Sequence, residues 1–136
     1  MVRVVVDTNV LVSAVVHDGR PRQLVLELLD KHTIILSRLL LVELAGVLQR
    51  DKFTVDTSQV DRFVSSLVQI SKIVPDHTRF TVVLDDTDDD VVLNVAYTGH
   101  ADFIVTGDKH LLILKKFKKA RILTVNGMLE VCSQKN

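Results

Sequence analysis

Four acids stand where apolar runs stop: Asp7 ends VRVVVD, Glu43 lies one helical turn beyond IILSRL, Asp89 sits inside DDTDDDVVL, and Asp108 closes FIVTGD. In an open α/β sheet the carboxyl ends of the strands face one crevice, so acids far apart in the chain can meet there. Carboxylates gathered without cations repel one another and resist leaving water. A hard divalent cation relieves both costs, which points to metal-dependent chemistry on phosphate.

Each acid also has a plainer role. Asp7-Thr8-Asn9 could close the first strand as an Asx-type turn, and Asp108 could be a turn acid after Gly107. Glu43 could be a solvated helix residue. Acids are favoured at helix N-termini, so at most one or two of Asp85, Asp86, Asp88, Asp89 and Asp90 can be ligands. Four coincidences at run ends are nevertheless less economical than one shared site. Asn9, with an amide able to bond backbone and acid together, takes a supporting role.

Other chemistry-bearing residues carry less. His17, His32, His77, His100 and His110 are dispersed and lack zinc-ligand spacing. In KKFKK, Lys115 to Lys119, the lysines could contact phosphates and Phe117 could stack on a base; solubilising lysines and an inward Phe117 are the simpler reading. Cys132 falls on an apolar helix as packing, and a single cysteine forms no internal disulfide, which fits a reducing, cytoplasmic setting.

The elements that must hold these residues follow from pattern. With 136 residues, 47% hydrophobic and only 4% aromatic, the Val, Ile and Leu content suits buried parallel strands in one domain, residues 1–136. Strands are expected at Val2–Val6, Thr33–Leu36, Phe103–Thr106 and Arg121–Val125, with an apolar run of open register at Phe80–Leu84. After the first strand DTN turns the chain. Helices are expected with Pro21 in the first turn and an end near Lys31, from an N-cap at Ser37 to Arg50, from about Ser58 to Lys72, from Asp88 or Asp89 to a stop at Gly99, from His110 to Leu114, and after Asn126-Gly127. On the second of these Leu40, Leu41, Leu44, Val47 and Leu48 face inward, with Glu43 on the flank of the stripe. On the third, Val60, Phe63, Val64, Leu67, Val68 and Ser71 share a face. Alternating strands and helices imply an α/β fold, a three-layer α/β/α sandwich with a mostly parallel central sheet.

Charge excludes little. Seventeen basic residues balance seventeen acids, which argues against a strongly basic nucleic-acid binder. With four acids neutralised by metal, thirteen acids remain against seventeen bases, a net of +4 that a polyanion tolerates. Asp7, Thr8 and Asn9 interrupt the opening apolar stretch, and no run approaches the ~18 apolar residues of a membrane span.

VVVDTNVLVSA, SRLLLVELAGVL, DDTDDDVVLNVAYTGHADFIVTGDKHLL and ILTVNGML together resemble a PIN domain, particularly the small prokaryotic toxin-like (VapC-like) branch, over nearly the whole chain. The resemblance implies a metal-dependent endoribonuclease that cleaves single-stranded or unpaired RNA with one or two Mg²⁺ or Mn²⁺ ions. It aligns Asp7, Glu43, Asp89 and Asp108 with the family's four catalytic, metal-holding acids, and Asn9 and Thr106 with its polar supports. It also implies a toxin role, an antitoxin partner and a homodimer. Thr87 and Asp90 stand where the family pattern has proline and asparagine, which leaves Asp86, Asp88 and Asp90 as alternatives to Asp89. His110 stands where relatives often carry another acid.

Two other classes remain open from the residues. One is an inactive PIN-like protein that binds RNA or a protein partner without cutting. The other is an Mg²⁺-dependent phosphotransfer domain with its nucleophilic Asp at a strand exit. Against the latter, Asn9 stands where a phosphatase of that kind needs a second acid, and Asp7-Thr8 lacks the adjacent acids of a receiver.

Overall fold

The computed structural model describes residues 1–50, 57–76 and 87–134, and the side chains of these except Arg50, Thr87, Asp88 and Asp89. The expected run at Phe80–Leu84, with Asp85 and Asp86, lies outside the described residues, as does the Asp89 side chain.

Six strands, β1 (Arg3–Val6), β2 (Thr33–Ser37), β3 (Lys72–Val74), β4 (Phe103–Val105), β5 (Lys116–Phe117) and β6 (Ala120–Leu123), form one sheet in the order β3-β2-β1-β4-β6-β5. All pairings are parallel except β5 against β6. Val4, Val5 and Val6 are fully buried at the centre, as expected of a strand covered on both faces. The helices α1 (Thr8–Val16), α2 (Arg20–Lys31), α3 (Arg38–Arg50), α4 (Thr57–Ile70), α5 (Thr87–Thr98), α6 (Lys109–Leu114) and α7 (Val125–Gln134) flank it, which makes the fold the α/β sandwich expected. α5 packs on β1, β2 and β4, while α2 packs on α1 and α7. Strand order runs outward from β1 through β2 to β3, and from β4 to β6. The reversal therefore falls between β1 and β4, the place where such sheets bind ligands.

Several elements differ from expectation, each for a physical reason. DTN does not end in a loop; Thr8 starts α1 directly after Asp7. Its β-branched sequence is a weak helix former, and burial of Val10, Leu11, Ala14 and Val15 outweighs that preference. The helix expected to reach Lys72 stops at Ile70, and Lys72–Val74 pairs with β2 as an edge strand. Val68, expected inward, is exposed, whereas Leu67 is fully buried. Asn126-Gly127 lies within the first turn of α7, where Thr124 Oγ1 accepts from the Gly127 amide at 3.1 Å, and the last strand ends at Leu123. Ser37 does cap α3, its Oγ accepting from the Leu40 amide at 3.3 Å.

Gly99 does follow the end of α5, for a reason other than a left-handed turn: that conformation falls on His100, φ 54°. A Cβ at Gly99 would sit 2.6 Å from Ile35 Cγ2, so glycine is needed for α5 to close onto β2.

Candidate active site

The site begins with the β1–β4 ladder. It runs one residue past β1, with the Asp7 amide donating to the Val105 carbonyl at 2.9 Å, and the Thr106 amide donates to Leu123 O at 3.0 Å. Two adjacent central strands thus deliver Asp7 and Thr106 to the same edge. Asp7 is 8% exposed and Thr106 is fully buried.

Thr106 ties the two acids together. Its hydroxyl accepts from the Asp108 amide at 3.0 Å and donates to Asp7 Oδ2 at 2.7 Å. The hydroxyl has one proton, so the incoming amide occupies a lone pair and leaves that proton directed at Asp7. Asp108 Oδ1 caps α6 by accepting from the His110 amide at 2.8 Å and lies 3.5 Å from His110 Nδ1. The capping role and a site role therefore coexist in Asp108.

Electrostatics at Asp7 favour a cation. Burial raises its carboxyl pKa above the usual carboxylate value; the Thr106 hydroxyl opposes this, the Asp108 charge adds to it, and the Thr8 and Asn9 amides lower it. Those amides lie close enough to favour the anion, but Asp7 makes no side-chain capping bond to α1. Among the described residues no Lys or Arg forms an ion pair with Asp7 or Asp108. The Thr8 hydroxyl is buried without a hydrogen-bond partner among the described residues. An oxygen-only acid pair with no Lys or Arg paired to it among the described residues is chemically suited to a hard divalent ion.

The other expected site residues stand differently. Asn9 is exposed and lines a cavity of about 430 Å³ shared with Thr106 and Gly107. Glu43 is half-buried on α3, on the flank of a face whose Leu40 and Leu44 are fully buried. Asp89 lies in the first turn of α5. Asp90, one of the alternatives in that motif, is buried, and Asn94 Nδ2 donates to its carbonyl at 2.7 Å. Among the described residues no three His, Cys, Asp or Glu side chains form a group able to hold a metal. The structure thus joins Asp7, Thr106 and Asp108.

The sequence reading missed Arg20 and Asn126, which line the same cavity and are bonded across 106 positions, Arg20 Nη1 donating to Asn126 Oδ1 at 2.8 Å. Their only local signal was placement at the starts of helices. Phe117 packs against the core as expected, and Cys132 is buried.

A PIN-domain family model matches residues 3–110. An uncharacterized protein of Methanocaldococcus jannaschii, MJ1680, is 29% identical over 123 residues, covering 87% of this chain and 78% of its own length. The fold resembles that of VapBC2 from Rickettsia felis, solved bound to a DNA fragment from the VapBC2 promoter, with a TM-score of 0.62 at 16% identity over 90% of this chain and 98% of that one. It also resembles PAE2754 from Pyrobaculum aerophilum, TM-score 0.62 at 18% identity, over 98% of this chain and 91% of that one. With the family model spanning most of the chain and two acids converging at the β1–β4 edge, the protein belongs to the PIN-domain family, a family of nucleases.

Proposed function

We propose that this chain is a single-domain, metal-dependent endoribonuclease that hydrolyses phosphodiester bonds in single-stranded or unpaired RNA. The observation that carries this reading is the Asp7–Thr106–Asp108 linkage at the reversal point of the sheet, with no ion pair to Lys or Arg among the described residues. Asp7 and Asp108 would hold Mg²⁺ or Mn²⁺, joined by Glu43 and Asp89 as the family resemblance implies. A divalent ion held there would supply charge stabilisation on the phosphate and activation of the attacking water.

The chain's own groups perform the positioning. The Thr106 hydroxyl fixes the rotamer of Asp7, and the Asp108 amide fixes the hydroxyl. Burial keeps bulk water from screening Asp7, which strengthens its pull on a cation. Asn9, exposed at the cavity, would orient an RNA phosphate or ribose. Unpaired RNA suits the site because its backbone can splay into a crevice.

The test pairs wild type with Asp7→Asn in Mg²⁺- and Mn²⁺-dependent cleavage of a labelled single-stranded RNA. Full activity in the variant removes the assignment and exposes a contaminating nuclease. One observation favours a second reading, binding without cleavage: the described side chains alone assemble no three-ligand metal group. Wild-type protein that binds RNA and does not cut it with either ion supports that reading.

No helix among the described residues is long and apolar enough to cross a membrane. A cytoplasmic setting is proposed from the single cysteine, which forms no internal disulfide. The likeness to VapBC2 supports an antitoxin-type protein as partner, and a toxin role with a homodimeric assembly extends the same reading. Co-purification of a small protein that suppresses cleavage would test the partnership.

A further inference from the structure

The cavity beside the acids holds an unused cation. Among its lining residues Arg20 bears the sole charge, and its volume of about 430 Å³ falls within the range of small-ligand sites, roughly 300–1,000 Å³. Asn9 and Thr106 connect it to the acid pair, and Val10 and Val125 give it apolar surface. Asn126 receives one N–H of Arg20, which holds the guanidinium in place and leaves its remaining donors available. A second cavity, also about 430 Å³, shares Arg20 and Asn126, so this pair forms the boundary between the two. Among the described residues, the second cavity contains Glu130 and no cation besides Arg20.

We propose that the first cavity is the subsite for the nucleotide next to the cleaved bond, with ribose and base against Val10 and Val125 and the outer phosphate held by Arg20. Asn126 is the positioning residue that aims the guanidinium. Arg20 suits a phosphate because its planar donors meet two oxygens at once. Glu130 disfavours a further phosphate in the second cavity. The proposal rests on the ribonuclease reading and names where its substrate lies.

The competing role is structural, in which any pair that ties α2 to α7 serves in place of Arg20 and Asn126. Asn126→Asp separates the roles, because it strengthens an α2–α7 tie while neutralising Arg20 toward RNA. Binding of a fluorescent eight-nucleotide single-stranded RNA is measured by anisotropy in the Asp7→Asn background, from 50 to 200 mM salt. Arg20→Gln should weaken binding about tenfold at low salt and flatten the salt dependence of log K by about 0.7, one phosphate's share on a single strand. Arg20→Lys should keep the slope. Asn126→Asp should weaken RNA binding while the melting temperature holds or rises. Unchanged affinity and slope in Arg20→Gln, or no RNA binding by the Asp7→Asn protein at low salt, overturns the subsite. Failure of the nuclease reading shows elsewhere, as wild-type protein that leaves RNA uncut with Mg²⁺ and Mn²⁺.

Discussion

The same central strands meet acids at both ends, and the two ends are treated differently. At the amino end, Asp102 accepts from the Arg3 amide at 2.9 Å and lies 3.4 Å from Lys119 Nζ, while Arg3 Nε donates to Gly99 O at 2.8 Å. At the carboxyl end, Asp7 and Asp108 share a threonine hydroxyl, and no Lys or Arg forms an ion pair with them among the described residues. An acid that serves the fold is neutralised by the fold. An acid pair without a Lys or Arg partner among the described residues, with burial and mutual repulsion raising the pKa of one member, fits the metal site proposed above.

That contrast breaks first at Asp7. Asp7→Asn should lower metal-dependent cleavage by about a thousandfold, since the lost charge acts where transition-state charge develops. Asp102→Asn should leave the cleavage rate within about twofold of wild type. Equal losses in a steady-state assay of the two variants would erase the distinction between the ends.

Added Mg²⁺ or Mn²⁺ should raise stability by about 2.7 kcal/mol at one hundred times its dissociation constant. Asp7→Asn should remove most of that gain and Asp102→Asn none of it. Thermal melts with and without chelator measure both.

Substitutions that leave every carboxylate in place sharpen the comparison. Thr106→Val should cost about 1–3 kcal/mol in denaturant titration by stranding the Asp7 carboxylate and the Asp108 amide, and should cut activity by about 10- to 100-fold. Gly99→Ala at the other end should destabilise by about 1–3 kcal/mol, because its Cβ meets Ile35 at 2.6 Å, with kcat of the folded fraction unchanged.

A smaller effect is expected from pH. The folded state holds the Asp7 proton more tightly than the unfolded chain does, so metal-free stability falls as pH rises from the unfolded value near 3.8 through the raised folded pKa. Below that window the stability is fully present, and above it the loss is complete. Denaturation in chelator across pH should show a flatter profile for Asp7→Asn than for wild type. The smallest effect belongs to Lys119→Ala, at most about 1 kcal/mol in the same denaturation experiment, because its ion pair with Asp102 is substantially exposed on both sides.

How far the sequence reached depended on the kind of element. Asp7, Thr106 and Asp108 were legible because a β-branched run followed by a polar residue marks a strand exit, and parallel strands share one exit edge. Glu43 was legible only as the flank of a stripe, since helical periodicity fixes a rotation about the axis and leaves the tilt of α3 open. The strand at Lys72–Val74 was hidden because three residues, two of them exposed, carry no period of their own. α1 was hidden because its valines favour strand locally and become helical only when buried.

The chain alone determined the fold class and the strand exits that carry Asp7 and Asp108, since burial pattern and strand ends are local properties written in residue order. Tertiary structure decided the rest: strand order put Asp7 beside Thr106, and packing of α2 near α7 brought Arg20 to Asn126. Contacts between residues about a hundred positions apart depend on how whole elements are arranged, and no local window of sequence contains that arrangement.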